Sequence, residues 1–390
     1  MSQTCSIVVR NEPWQIPSRF LVNTSGSGKT RILLEGLCNK WGFYFTSTVD
    51  SSLLGSSDIQ NSIQSYIPYS PNFRDKLPHP GTTDYGIGLR SNRLIAGKVF
   101  RRVFLARLLI FHHFVEIMER ERAPYASLDT FRERWLLLQL QPHLVCPAGV
   151  WDIFDDLTCR LSEASDHFIA ARTQDLLKRV RELCSEKSDA SVEETPFFCV
   201  LDEAQYAATK HTSSFRSDHD GSQRPILREI VRAWEELISG RGVFMVIAGT
   251  GISKNVVDQA MASAIMKESR YRWCSDTGAF SSFEAQRLYL SQYLPRHLLE
   301  SEVGKRLLQR LWYWLHGRFM IFWESISWDL TIEQISVYCW IYDGAHTRWF
   351  PATASASECL CSTLHRIFSH WCSRMCWERG WSTPTELFPV

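Results

Sequence analysis

The sequence predicts an α/β fold, a parallel sheet flanked by helices and followed by a mainly α-helical domain. Three stretches carry that expectation. Phe20-Leu21-Val22 is a short apolar run that enters the small-residue turn Asn23-Thr24-Ser25-Gly26-Ser27-Gly28, and Lys29-Thr30-Arg31-Ile32-Leu33-Leu34 opens a helical pattern straight after it. Phe197-Phe198-Cys199-Val200-Leu201 is a continuous apolar run that ends in Asp202-Glu203. Val243-Phe244-Met245-Val246-Ile247-Ala248 is another, ending in Gly249-Thr250-Gly251. Unbroken apolar runs of strand length mark strands buried on both faces, which is how parallel sheets read in sequence.

In chain order, residues 1–19, punctuated by Pro13 and Pro17, are expected to form an N-terminal arm. A first strand follows at 19–22, then a helix from Gly28 toward Lys40 that buries Ile32, Leu33 and Leu37. The aromatic run at 41–47 supplies a second strand and completes a βαβ start. Residues 48–91 are rich in Ser, Pro, Gly and Asn and are expected as a long inserted loop. The pattern at 92–122 is strongly helical, with Arg93, Lys98, Arg101, Arg102 and Arg107 on one basic face. That face is either a solvated surface or an anion-facing one; no aromatic residues interleave it, so nucleic acid is left unsupported as a partner.

Residues 128–140 and 151–184 read as further helices, the second broken near its middle, and 185–195 as a polar linker. Residues 207–223 are expected as a polar, mobile loop near the strand end, and a helix begins at Pro225, where a missing N–H costs nothing. The core then covers 20–258, with a loop-rich and helical insertion at about 48–195. Residues 259–390 are expected as a helical lid and C-terminal helical domain, whose aromatic surface is a candidate for a protein partner or self-association.

Composition sets outer limits. Hydrophobic residues make up 45% and charged residues 22% of the 390-residue chain, as in ordinary globular proteins. The formal net charge of +1 gives no general reason to expect nucleic acid or acidic membranes as partners. Fifteen Trp and 22 Phe imply a bulky aromatic core or aromatic partner surfaces. Twelve cysteines without a regular framework read as free thiols of a reducing compartment. Residues 1–10 carry neither a charged leader nor an apolar core, and the most apolar stretch, 103–118, is interrupted by Arg107, His112, His113 and Glu116. A soluble, intracellular protein is expected.

The order strand, Gly-rich turn, helix is that of a phosphate-binding loop, whose backbone N–H groups and helix dipole face an anion. Gly26, Ser27, Gly28, Lys29, Thr30 and Arg31 are the candidate nucleotide-binding residues. Lys29 would reach the β- and γ-phosphates, and Thr30 would ligate Mg²⁺. Asn23 stands where the pattern has its first Gly; Asn tolerates a positive φ better than most residues. At the end of the Asp-Glu strand, Asp202 would hold the Mg²⁺ shell and Glu203 would orient or deprotonate an attacking water. Together these motifs predict a P-loop NTPase. Thr250 is a candidate γ-phosphate sensor or else a plain turn residue between two glycines. Arg318, just past a helix that ends at Gly317, is either a second sensor or a cation complementing that helix's dipole. Cys359, Cys361, His365, His370, Cys372 and Cys376 include i,i+4 pairs that could ligate a metal, but they fit no zinc spacing.

These residues resemble a known family. The stretch from Ser25 to Arg31, with Leu-Leu-Glu-Gly-Leu-Cys and Trp-Gly-Phe-Tyr-Phe after it, resembles the ATPase region of Crinkler-type proteins of mushroom-forming fungi, relatives of the retrotransposon-hot-spot ATPases. The segments 201–205, 224–229, 248–251, 276–280 and 317–319 look like that family's later blocks. The resemblance implies an AAA-like or STAND-like ATPase core followed by a helical domain, binding ATP with Mg²⁺. In that family the core is often joined to a ubiquitin-like header and a nuclease-like domain; neither is recognised here. The expected activity is ATP hydrolysis coupled to lid movement. A non-hydrolysing, nucleotide-gated interaction module is the alternative, and a small-molecule kinase is a third class that the Asp-Glu pair disfavours.

Overall fold

The computed structural model describes residues 18–23, 28–49, 53–121, 128–146, 150–184, 196–217, 221–252, 271–275, 282–291 and 296–315. Five strands, β1 (Ser18–Asn23), β2 (Gly42–Thr46), β3 (Phe197–Asp202), β4 (Val243–Thr250) and β5 (Tyr271–Cys274), form one parallel sheet in the order β2-β3-β4-β1-β5. Helices α1 (Lys29–Asn39), α2 (Asp58–Asn61), α3 (Thr83–Glu121), α4 (Leu128–Leu140), α5 (Ile153–Arg160) and α6 (Asp166–Cys184) precede β3. After it come α7 (Ala204–Thr209), α8 (Leu227–Ile238), α9 (Phe283–Leu290), α10 (Arg296–Glu300) and α11 (Glu302–Leu315). The mixed α/β architecture with a parallel sheet between helices is as the sequence predicts.

Period-2 alternation sorts the strand side chains onto two faces. Leu21, Tyr44, Phe198, Val200, Val246 and Ala248 pack with Leu33 and Leu37 of α1 and Leu136 of α4. Phe20, Phe43, Phe45, Cys199, Leu201, Met245 and Ile247 turn to the other face, into a larger core with α3, α6 and α8. The link from β1 to β2 crosses to the far edge, whereas β2 to β3 to β4 steps back one strand at a time. Helix α1 of the first link lies on one face, and α3, α6 and α8 of the returning links lie on the other, as a single crossover hand requires.

The aromatic composition finds its use under β2. Phe43 stacks edge-on to Phe111 and Trp135, with centroids 5.4 and 6.3 Å away, and Phe45 lies 4.5 Å from Trp234 of α8. β2 is an edge strand, and side chains cover its backbone. Gln139 of α4 accepts from Tyr44 N (2.8 Å), Trp135 donates to Gly42 O (2.7 Å), and Arg107 of α3 donates to Tyr44 O (3.0 Å).

Several expectations change. The helix expected from residue 92 begins at Thr83, and the stretch before it holds α2 and a π-helical turn at Ser62–Tyr66. That stretch is not a simple loop. The Asn92 side chain accepts from Arg74 N (2.8 Å) and donates to Arg74 O (2.7 Å) and Ser214 O (2.9 Å), stitching it to α3 and to the segment after β3. The polar stretch at 207–223 is likewise fastened over its described residues 207–217: α7 takes its first residues, His211 Nε2 bonds Ile63 O (2.8 Å), and Ser214 Oγ donates to Asp75 O (2.7 Å).

The arginines on the basic face of α3 are turned to groups of the protein itself, and Lys98 is half-buried. Arg107 is fully buried, paired with Asp58 at 2.8 Å and stacked 3.9 Å above Phe154; Arg102 is also buried. Arg101 pairs with Glu236 at 3.2 Å, and Arg93 donates to Arg216 O at 2.6 Å. Periodicity alone cannot distinguish an arginine facing water from one facing a buried carboxylate.

Beyond residue 258, where the predicted core ends, the first described element is β5, which pairs with β1 in the same sheet. Among the described residues no helix is long and apolar enough to cross a membrane. Cys38, Cys146, Cys159, Cys184, Cys199 and Cys274 are free, and burial pushes the Cys184 and Cys199 thiols up. Also among the described residues, no group of three His, Cys, Asp or Glu is placed to hold a metal; the Cys/His cluster at 359–376 lies outside them.

Candidate functional site

The turn after β1 must reverse the chain from strand into helix, and Gly28 does so at φ 82°, a left-handed conformation that favours glycine. Helix α1 starts at the next residue with neither a side-chain cap nor an acidic residue in its first turn. Its positive end is therefore not offset by carboxylates of its own. Gly26 and Ser27 lie outside the described residues.

Lys29 and Thr30 open α1 and turn toward the strand ends. Lys29 is 6% exposed, and its Nζ donates to Asn23 O at 3.1 Å. Burial lowers its pKa, and the charges of Asp202 and Glu203 pull it back up. Thr30 Oγ1 donates to Asp202 Oδ2 at 2.8 Å, joining residues 172 positions apart. Arg31 runs along the helix instead, paired with Glu35 at 2.7 Å.

Asp202 is the last residue of β3 and is 2% exposed. Burial raises its pKa. Against this act a backbone bond from Glu203 N to Oδ1 (2.9 Å), the Thr30 hydroxyl, the Tyr44 hydroxyl on Oδ2 (3.2 Å) and the charge of Lys29. Glu203 then turns the chain into α7 at φ 52°, left-handed without being glycine. Its carboxylate oxygen Oε2 accepts from Gln205 Nε2, and Gln205 Oε1 accepts from Thr250 N at 3.0 Å.

Thr250 is the last residue of β4 and pairs in register with Asn23 at the end of β1. It is therefore a strand residue, followed at once by Gly251 at φ 65°. Because β4 lies between β1 and β3, its end stands between the Gly28 turn and the Asp-Glu pair. Asn23 also departs from expectation. It is strand-paired, not a left-handed turn residue, and its side chain donates to Ser275 O beyond β5 at 2.6 Å. A glycine at this position could not make that link. Arg318 lies outside the described residues.

Of the predicted residues, Gly28, Lys29, Thr30, Asp202, Glu203 and Thr250 meet at the carboxyl ends of β1, β3 and β4, where open α/β sheets take their ligands. Two further residues belong with them and were not singled out from sequence. Tyr44 carries a signal: in the alternating strand Phe43-Tyr44-Phe45 it is the one hydroxyl, on the face opposite its neighbours. Gln205 had only its place two residues after Glu203. No family model and no curated protein matches the chain.

The donor set fits a magnesium nucleotide. A threonine hydroxyl and a carboxylate 2.8 Å apart are both hard oxygen donors, which Mg²⁺ prefers, and a buried ammonium stands beside an uncapped helix N-terminus.

Proposed function

We propose that the chain is a Mg²⁺-dependent P-loop ATPase with an AAA-like core, in keeping with its resemblance to the Crinkler-type ATPases. The observation that carries this is the 2.8 Å bond from Thr30 to Asp202, which unites the two halves of the expected constellation from opposite ends of the core. The position of β4 adds support, since it sets Thr250 beside both halves.

In this reading Lys29 binds the β- and γ-phosphates as a point charge, and the first-turn N–H groups of α1 add oriented dipoles. Arg31 contributes through its backbone, its side chain being engaged with Glu35. Thr30 and Asp202 hold Mg²⁺, which when bound neutralises charge developing on the phosphates. Glu203, placed just past the end of β3 by its left-handed backbone, accepts a proton from the attacking water. Thr250 offers a hydroxyl to the γ-phosphate, and Arg318 would supply a second contact from the helical region.

Nucleotide binding and phosphate release of the wild type, Lys29→Ala and Glu203→Gln test this. Loss of Lys29 removes charge-assisted bonds of about 1.5–3 kcal/mol, so ATP affinity falls by about 10- to 100-fold. Glu203→Gln keeps binding and loses turnover by about 10²- to 10⁴-fold. Wild-type binding without phosphate release would make the chain a nucleotide-gated switch instead, and no binding would refute both.

A further inference from the structure

The Gln205 side chain touches both the Glu203 carboxylate and the end of β4. The direction of its amide is fixed by chemistry. A backbone N–H can only donate, so Oε1 must face Thr250 N, and this turns the NH₂ group onto Glu203. The surroundings hold the amide there. Ala204 and Ala207 anchor α7 in the core with no exposure, and β4 comes so close that a Cβ on Gly249 would stand 3.0 Å from Gln205 Oε1.

Glu203 itself is in a left-handed conformation that strains a non-glycine residue, and such strain is kept where neighbouring bonds enforce it. Asp202 does not orient the Glu203 side chain, because its bond goes to the Glu203 backbone N–H. The Gln205 amide does bond that carboxylate, and its other end is bonded to the candidate sensor residue.

We infer that Gln205 is a positioning residue that couples the sensor end of β4 to the general base Glu203; this rests on the hydrolase reading above. A displacement of Thr250 on meeting a phosphate oxygen moves the acceptor side of the Gln205 amide. The same rigid amide then carries its donor side, and Glu203 with it. The coupling runs from β4 to α7 without passing through the metal ligands.

Two variants of Gln205 separate positioning from mere structure. Gln205→Glu keeps an acceptor for Thr250 N and the shape of the side chain, but removes the donor to Glu203. Gln205→Leu removes both. At about pH 8, where carboxylates are ionised, both variants should keep ATP affinity within about threefold and lose at least about tenfold in kcat. Gln205→Glu should also melt within about 2 °C of the wild type. Adding Glu203→Gln to Gln205→Leu should cost nothing beyond Glu203→Gln alone, since two residues acting as one unit are not additive. An active wild type with an equally active Gln205→Glu would overturn the coupling and leave the hydrolase reading standing, as would losses that multiply in the double variant. A wild type that binds ATP without releasing phosphate would remove the hydrolase reading and the coupling together.

Discussion

Replacing Arg107 by Met tests the buried anchor beneath β2. The side chain is fully buried, with one bond to Asp58 (2.8 Å), another to Tyr44 O (3.0 Å) and its guanidinium over Phe154 and Phe45. Met preserves much of the volume, so the principal loss is the partner of Asp58, a carboxyl that is itself fully buried. Burial raises the Asp58 pKa even against the Arg107 charge that pulls it down; without Arg107 it rises further and the carboxyl must fold neutral. A carboxyl whose folded pKa exceeds its unfolded value of about 3.9 adds no penalty below that pH and a growing one above it. At about 1.4 kcal/mol per pH unit over about three units, the ceiling at neutral pH is ~4 kcal/mol. Breaking buried pairs costs about 3–5 kcal/mol in general, which agrees. For a cooperative unit of this size that corresponds to roughly 8 °C in Tm, at about 2 °C per kcal/mol. Urea melts at about pH 5, 7 and 8.5 should show the gap to wild type widening as pH rises. Arg107→Met combined with Asp58→Leu should recover most of the loss, because no charge is then left unpaired. A gap that stays constant with pH, or a double variant no more stable than the single one, would refute the reasoning.

Two further variants probe the site. Tyr44→Phe removes one of the bonds that hold down the Asp202 carboxyl, worth about 0.5–1.5 kcal/mol or roughly 0.4–1 pK unit. On the proposed reading Asp202 must be ionised to hold Mg²⁺, so the acid limb of turnover should move to higher pH by that amount; an unmoved limb would mean that the hydroxyl does not tune the carboxylate. Asn23→Gly loses the side-chain bond to Ser275 O and adds chain entropy, lowering stability by about 1–2 kcal/mol in thermal melts. Its ATP affinity should stay within about threefold, and a larger change would place the residue in the phosphate cradle instead of at the strand junction.

What was legible in the sequence follows from how local each signal is. Phe197 to Leu201 and Val243 to Ala248 announced buried strands by their unbroken apolar runs, and Gly28-Lys29-Thr30 announced the turn by its order. Lys29, Thr30, Asp202 and Glu203 could be named because their residue types sit at fixed offsets from those strands. β5 could not be read: four residues, Tyr-Arg-Trp-Cys, are too few to show a period. Residues 53–82 misread as loop because side-chain bonds from Asn92 and Ser214 organise them, and these leave no periodic trace. The arginines of α3 misread because their partners, Asp58 and Glu236, are remote in sequence. Tyr44 and Gln205 escaped for a similar reason. Each acts across a gap between elements that only the folded chain closes.

The side chains along the outer edge of β2 have a consequence for association. The strand reads Gly-Phe-Tyr-Phe-Thr, and its outward backbone groups end on Gln139, Trp135 and Arg107 where a sixth strand would otherwise pair. Those three side chains act as a counterfeit neighbour, fixed in place, that no second molecule can displace without unpacking α3 and α4. An aromatic strand with its edge laid bare is a template for other chains. Damage to Gln139 or Trp135 would therefore register as clumping at working concentrations before it registered in the chemistry, although neither residue lies among the groups at the carboxyl ends of the sheet.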